Sequence, residues 1–131
     1  MQVTRVETLR SKEPVILPEP WLPAWNQPNG TPVTQWYLTF YKVYTDEGII
    51  GYGPHTGYVN PSRLIGMDPC HVEAFWDANM SGRRAGNSGQ GAAGLEIALW
   101  DIIGQAAGLP LYKLLGAYTD RLMVYAATSR L

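Results

Sequence analysis

Residues Gly89 to Leu115 form the most strongly patterned segment of the sequence and read GQGAAGLEIALWDIIGQAAGLPLYKLL. Between Leu95 and Ala107, its apolar and small side chains fall on two faces of a helical wheel. One face carries Leu95, Ala98, Leu99, Ile102 and Ala106, and the other carries Ile97, Trp100, Gly104 and Ala107. Such a helix needs cover on more than one side, because exposed apolar surface costs about 25 cal/mol per Å². The pattern therefore predicts a central helix that packs between a small sheet and a second, larger body.

The ends of this segment carry the signals that begin and end helices. A run of Gly, Asn and Ser precedes it, Gly108 suits the left-handed position after a helix, and Pro110 cannot continue one. Leu111 to Leu115 then predicts a short second helix that ends at Gly116. Upstream, Asp68 and Pro69 favour a helix start, with an apolar face that ends near Asn79. That face consists of Val72, Phe75, Trp76 and Met80.

Three segments predict an antiparallel sheet. Val3 to Leu9 alternates as a half-exposed strand does, and Gln35 to Thr45 alternates large side chains between two faces. The turn residues Asp46, Glu47 and Gly48 follow, and Ile49 to Gly53 returns as the partner strand. The expected fold class is α+β, a three-stranded antiparallel meander packed against helices.

A long connection, Ser11 to Thr34, separates the first two predicted strands. It carries six prolines, Trp21 and Trp25, and it predicts a surface loop without regular structure. Loops of this length are either functional or disordered. Two interpretations of this segment therefore stay open. It forms a wall of a pocket, or it is a flexible surface loop without a function.

Composition limits the classes of function. The net charge is -1, so the chain has no field that would hold nucleic acid or an anionic membrane surface. The single cysteine, Cys70, excludes an internal disulfide. We find no signal peptide and no apolar run of transmembrane length, which predicts a cytoplasmic protein.

The run GLEIALWDIIGQAAGLPLYKLLGA, followed by Asp120, Arg121 and the apolar Leu122 to Ala127, resembles the enolase superfamily. The resemblance is to the branch of mandelate racemases, muconate-lactonising enzymes and sugar-acid dehydratases. It implies an N-terminal capping domain over residues 1–119 and the start of an α/β barrel over residues 120–131. Leu122 to Ala127 would be a buried strand, the first of that barrel. Pro54 stands where the family often carries a glutamate.

The resemblance also implies a chemistry, namely removal of a proton next to a carboxylate, with Mg²⁺ holding the enediolate and a Lys or His as base. These groups belong to later strands of a barrel of about 250 residues, so no catalytic residue and no metal ligand is expected in this chain. We therefore expect the chain alone to be inactive. Its implied partners are a hydroxy-acid or sugar-acid substrate, its own barrel domain and further copies of the full-length protein.

The resembled family closes such loops over the active site, which makes four side chains candidates for lining the substrate pocket. They are Trp21, Trp25, His55 and Tyr58. An alternative of another class is a non-catalytic interaction module that uses the exposed flank of the Leu95 to Ala107 helix.

Three further motifs suggest a binding or catalytic site, and each also has a purely structural interpretation. Gly89, Gly91 and Gly94 match a dinucleotide-binding pattern, but no buried strand precedes them, so close helix packing is favoured. Cys70 and His71 are neighbours by chance, since adjacent helical side chains point apart. Glu96 and Asp101 lie about 140° apart around a helix, which suits neither a shared metal nor an acid/base pair. Asp101 is expected to be a structural hydrogen-bonding or ion-pair residue.

Overall fold

A computed structural model describes residues 1–22, 30–55, 59–80 and 90–124. The chain divides into two compact units, each of which is described by itself. The first, here called the sheet–helix unit, comprises Met1–Leu9 and Thr39–Ala117. The second, here called the ribbon unit, comprises Arg10–Leu38 and Tyr118–Leu131.

Five strands and three α-helices occur in the described ranges. They are β1 (Val3–Arg10), β2 (Val15–Trp21), β3 (Val33–Trp36), β4 (Thr39–Thr45), β5 (Ile50–Pro54), α1 (Val72–Met80), α2 (Gln90–Ala107) and α3 (Leu111–Leu114). A 3-10 helix at Pro61–Leu64 lies between β5 and α1. Strands β1, β4 and β5 form a three-stranded sheet in that order, and β2 and β3 form a separate two-stranded sheet. The predicted α+β class with an antiparallel meander is confirmed.

Strict alternation on β4 separates the two faces of the three-stranded sheet. Tyr41 and Val43 are buried, whereas Phe40, Lys42 and Tyr44 between and beside them are only partly buried. Strand β5 pairs antiparallel with β4, with Lys42 opposite Tyr52 and Val43 opposite Gly51. The buried face packs on α2, whose Ala92, Leu95, Ala98, Leu99 and Ile102 are fully buried. Of the first predicted apolar face of α2, Leu95, Ala98, Leu99 and Ile102 are buried and Ala106 is exposed.

Two glycines of β5 set how closely α2 approaches the sheet. A Cβ on Gly53 would collide with the backbone carbonyl of Gly94, and a Cβ on Gly51 would collide with that of Ala98. The helix backbone therefore rests directly on the strand, with no side chain between them. This close approach accounts for the glycines at 51 and 53.

The C-terminal end of α2 is the capped end that the sequence predicts. Gly108 has φ 63°, its N–H donates to the carbonyl of Gln105 at 3.1 Å, and the N–H of Leu109 donates to the carbonyl of Gly104 at 3.1 Å. These two bonds are those of a Schellman motif, which satisfies carbonyls at a helix end. Helix α3 follows after Pro110 and ends before Gly116, which also has a positive φ of 86°.

The structure corrects the prediction that residues 11–34 lack regular structure. Strands β2 and β3 form an antiparallel ribbon in which Val15 lies opposite Trp36 and Trp21 lies opposite Val33. The register shifts between Ile16 and Trp21, so the segment with both prolines of β2 lies where the pairing is irregular. Proline is tolerated there because no ladder hydrogen bond is required of it.

The same pairing divides the strand predicted over residues 35–45. Strand β3 ends at Trp36 and β4 begins at Thr39. Between them, the Leu38 N–H donates to the Ser11 hydroxyl at 3.2 Å, and the Ser11 N–H donates to the Leu38 carbonyl at 2.8 Å. The backbone at Leu38 is thus bonded to Ser11, and the long strand becomes two.

Two other boundaries differ from the sequence expectation. Helix α1 begins at Val72, because Asp68 instead closes a turn by accepting the N–H of Cys70 at 2.9 Å. Residues Leu122, Met123 and Val124 of the predicted buried strand are 80%, 99% and 86% exposed and belong to no strand. No described segment pairs with them, and a strand requires such a partner. The remainder of that predicted strand lies outside the described residues, and the boundary at residue 119 stays a prediction.

Candidate functional site

Trp21, the first predicted pocket residue, lies at the end of β2 in the ribbon unit. Its ring meets the ring of Trp36 edge to face, with centroids 5.9 Å apart and planes at 86°. The two rings line an open groove of about 440 Å³ together with Leu17, Pro18 and Glu19. Trp36 is 43% exposed, so its ring is open to a ligand. An aromatic wall beside a carboxylate is suited to a ligand with apolar C–H faces and hydroxyl groups.

The sequence alone did not identify Trp36 and Glu19 as parts of this groove. The signal for them is the pairing of β2 with β3, which brings Trp36 to the ribbon beside Trp21. Because the prolines of residues 11–34 predicted a loop, that pairing was not expected. The groove is therefore a feature that only the fold reveals.

His55, the second predicted pocket residue, directly follows β5 in the sheet–helix unit. Its N–H donates to the carbonyl of Thr39 at 3.0 Å, which extends the β4–β5 ladder by one residue. Its ring lies against the ring of Tyr41, with centroids 5.0 Å apart. Burial raises the pKa of the Tyr41 hydroxyl above its usual 10.0, so Tyr41 is uncharged at neutral pH. His55 is thus half-buried and held at the edge of the core.

The other two predicted pocket residues, Trp25 and Tyr58, lie outside the described residues. Trp21 and His55 belong to different units, and each is placed within its own unit. Their joint contribution to one pocket stays a prediction.

Cys70 lacks the features of a reactive nucleophile. The thiol is free and exposed. Desolvation, and then the Asp68 carboxylate beside it, raise the pKa of the Cys70 thiol above its usual 9.0. A thiol of raised pKa carries less thiolate at neutral pH, so nucleophilic chemistry at this position is disfavoured.

The glycine motif serves helix packing at Gly94. Helix α2 begins at Gln90, so Gly91 and Gly94 lie inside the helix and not in a loop before it. The backbone carbonyl of Gly94 meets Gly53 of β5. Gly89 lies outside the described residues. The geometry at Gly94 favours packing over dinucleotide binding, as the sequence argument does.

The two carboxylates of α2 have separate structural partners. Asp101 Oδ2 accepts the backbone N–H of Tyr52 at 2.9 Å. Glu96 Oε1 accepts the indole N–H of Trp100 at 3.4 Å. The expectation that Asp101 is a structural hydrogen-bonding residue is confirmed, and the two groups do not share a site.

Within residues 1–22, 30–55, 59–80 and 90–124, no group of three or more His, Cys, Asp or Glu side chains could hold a metal ion. In the same ranges, no helix has both the length and the apolar character needed to span a membrane.

A comparison with protein families identifies the family to which this chain belongs. The family described as "Mandelate racemase / muconate lactonizing enzyme, N-terminal domain" matches residues 15–116. The chain belongs to this family. The match includes the ribbon, the β4–β5 hairpin and all three helices, so it extends over both units.

Individual relatives of this mandelate racemase/muconate lactonizing enzyme N-terminal domain include sugar-acid dehydratases. A D-galactonate dehydratase family member from Marinomonas sp. (strain MWYL1) is 39% identical over an alignment of 105 residues, and the match covers 67% of this chain and 26% of the relative. The structure of L-talarate dehydratase from Polaromonas sp. JS666, complexed with Mg and L-glucarate, gives a TM-score of 0.66 at 29% identity, covering 91% of this chain and 36% of that one. The structure of dipeptide epimerase from Enterococcus faecalis V583, complexed with Mg and L-Leu-L-Tyr, gives 0.67 at 25% identity, covering 90% and 35%.

This chain spans about a quarter of the length of the curated relatives it matches. The resemblance to the enolase superfamily stated from the sequence is confirmed, together with the capping-domain fold. The alternative of a non-catalytic interaction module is not favoured by these comparisons.

Proposed function

We propose that this chain is the capping domain of a Mg²⁺-dependent enzyme that removes a proton next to the carboxylate of a hydroxy acid or sugar acid. The reaction would be dehydration, with racemisation or epimerisation as the second outcome of the same proton transfer. The observation that carries this proposal is the family match over residues 15–116 together with relatives named as sugar-acid dehydratases. In this function the chain closes the active site and selects the substrate.

The groove of the ribbon unit supports a role in selecting the substrate. Its aromatic wall of Trp21 and Trp36 would pack against the C–H face of a sugar acid, while Glu19 offers an acceptor for hydroxyl groups. Trp25, His55 and Tyr58 are proposed as further substrate-pocket residues, and the ring of His55 lies against the ring of Tyr41.

Mg²⁺ takes oxygen ligands in octahedral arrangement, and the described residues contain no group of three or more His, Cys, Asp or Glu side chains that could hold a metal ion. Both solved relatives described above are complexed with Mg. We therefore assign the metal and the catalytic base to the barrel domain of a longer protein and derive no catalytic step from residues of this chain.

The second face of α2 would pack against that barrel domain. Ile97 is 46% exposed, and Trp100 and Ile103 are only partly buried. The latter two line an apolar groove of about 480 Å³, completed by residues of the α1 N-terminus and by Leu114. This surface supports the sequence argument that α2 is covered by more than the sheet. Full-length copies are further proposed to form a homo-oligomer.

The decisive experiment grafts this domain onto an active relative. Residues 1–117 would replace the corresponding segment of a D-galactonate dehydratase, and keto-acid formation with Mg²⁺ would be measured on a panel of sugar acids. We expect an active graft whose substrate preference differs from that of the parent. Trp21→Ala in the graft should lower kcat/KM for its best substrate by about tenfold, since a pocket aromatic carries a large share of binding.

Ile16→Ala in the same graft is a matched control, because Ile16 is an exposed apolar residue of β2 outside the groove. It should leave kcat/KM unchanged. A folded, active graft with the parent's substrate preference, insensitive to both Trp21→Ala and His55→Ala, would contradict the role in specificity. A folded graft that binds Mg²⁺ but turns over none of the acids would contradict the proposed enzyme class.

A further inference from the structure

Strand β5 is an outer strand of its sheet, and no described strand pairs with one of its sides. The sheet order is β1, β4, β5, so β5 pairs with β4 alone among the described strands. Its odd-numbered residues turn their backbone groups toward β4. The Thr45 N–H donates to the carbonyl of Ile49 at 3.1 Å, and the His55 N–H donates to the carbonyl of Thr39 at 3.0 Å. The backbone groups of Ile50, Tyr52 and Pro54 therefore point away from β4, because successive residues of a strand alternate.

Two side chains of α2 form hydrogen bonds with outward backbone groups of β5. Asp101 Oδ2 accepts the Tyr52 N–H at 2.9 Å, and Gln105 Nε2 donates to the Ile50 carbonyl at 2.7 Å. The third outward residue, Pro54, has no N–H to offer. A further strand would need hydrogen bonds at these three positions. The Ile50 carbonyl and the Tyr52 N–H are already bonded to side chains of α2, and Pro54 has no N–H.

The arrangement follows from a match between helix and strand repeats. Four helical residues rise about 6 Å and two strand residues advance about 6.6 Å, so an i, i+4 pair on α2 can reach alternate residues of β5. Gly94 and Ala98 meet Gly53 and Gly51 with the same four-to-two correspondence. The helix thus runs antiparallel to the strand, with small residues against the strand and polar residues at its outer edge.

An open strand edge is a template for another strand, and long-range charge does not protect this one. The net charge of -1 gives little repulsion between copies of the chain. We propose that Asp101, Gln105 and Pro54 close the β5 edge to strand addition by a second copy of this chain. Asp101 and Gln105 hold the backbone groups that an antiparallel β5–β5 pair would use, and Pro54 withholds one more donor.

The double variant Asp101→Ala/Gln105→Ala tests this proposal, since alanine frees both backbone groups, adds no large apolar surface and suits a helix. Sedimentation velocity over a range of protein concentration should show self-association at least about tenfold stronger than wild type. In dilute solution the Tyr52 amide should exchange hydrogen about tenfold faster than in wild type. At high concentration that amide should become protected again, because a partner strand then occupies it.

Ile103→Ala is the control for general loosening, because Ile103 packs against the core from the same helix and lines the groove with Trp100 and Leu114. It should not increase self-association. Asp101→Asn should behave as wild type, since an amide oxygen still accepts the Tyr52 N–H. Should the double variant fail to fold, Pro54→Val provides a second route, because it adds an outward N–H at an exposed position and should increase association by itself.

Two results would overturn the proposal. One is a folded double variant that associates no more than wild type and shows no concentration dependence of Tyr52 exchange. The other is an Ile103→Ala variant that associates as strongly as the double variant, because association would then arise from loosened packing and not from the edge.

Discussion

The two units of this chain differ most in what they bury. All of the buried core residues in the described part of the chain, from Val3 to Ile102, belong to the sheet–helix unit. In the ribbon unit, by contrast, every described residue is exposed or only partly buried. A two-stranded ribbon without a buried face is marginally stable by itself, whereas helix packing on a three-stranded sheet supports a stable domain.

Under the proposed function, this difference separates the scaffold from the wall that would select the substrate. The groove with Trp21 and Trp36 lies in the unit with little burial, and the His55 segment directly follows the well-packed β5. Elements that close over a ligand come from the less stable parts of a protein, since they must open again. We therefore expect substitutions in the sheet–helix unit to lower the free energy of unfolding more than substitutions in the ribbon unit do.

The largest expected effect is that of Gly53→Ala. The new Cβ would collide with the carbonyl of Gly94, so α2 must move off the sheet. We expect a loss of about 4 kcal/mol or more in the free energy of unfolding, measured by urea denaturation monitored by circular dichroism. Gly48→Ala is the control, because Gly48 has a positive φ of 82° but open space around it, and should cost only about 1 kcal/mol. Equal losses for both variants would contradict the close helix–strand contact.

The next prediction compares one truncated side chain from each unit. Leu99→Ala empties a fully buried position in α2 and should cost about 3 kcal/mol in urea denaturation. Trp36→Ala removes a larger side chain that is 43% exposed, and should change the global free energy of unfolding by less than about 0.5 kcal/mol. If Trp36→Ala lowered the free energy of unfolding more than Leu99→Ala does, the ribbon would stabilise the core. That result would contradict the contrast between the two units.

The sheet–helix unit is also the part that local sequence signals predicted. Alternation placed Tyr41 and Val43 on one face of a strand, and periodicity placed Leu95, Leu99 and Ile102 on one face of a helix. The structure buries both sets. The end of α2 was predicted at Gly108, because the residue chemistry of helix ends acts locally. Elements that bury one face of a regular repeat reveal that repeat in the sequence.

The remaining features depend on pairings between distant segments. The prolines of β2 argued for a loop, and only an irregular register with β3 makes them compatible with a strand. Asp101 could be recognised as structural, but its partner, the Tyr52 N–H, follows from the position of α2 over the β5 edge. In the candidate site, Trp21 and His55 were chosen for their segments, while Trp36 required the ribbon. No local pattern encodes such contacts.

A smaller effect is expected at the Schellman cap of α2. Gly108→Ala keeps the helix but forces a residue with a Cβ into a positive φ of 63°. The expected loss is about 1 kcal/mol in the free energy of unfolding, again by urea denaturation. Ala107→Gly, one position earlier, should cost a similar amount through helix propensity alone and without a change at the cap. The two are distinguished by hydrogen exchange at Leu109, whose bond to Gly104 weakens only in Gly108→Ala.

The smallest effect tests whether the ribbon opens separately from the core. Ser11→Ala removes the hydroxyl that accepts the Leu38 N–H at 3.2 Å and donates to the Glu13 carbonyl at 2.8 Å. We expect the Leu38 amide to exchange about fivefold faster, while protection at Val43 and the urea midpoint stay at wild-type values. Ser11→Thr should retain the slower exchange, because its hydroxyl can make the same bonds. A parallel loss of protection at Leu38 and Val43 would mean that both units unfold as one cooperative body, and the ribbon could then not open over a ligand while the sheet and α2 stay packed.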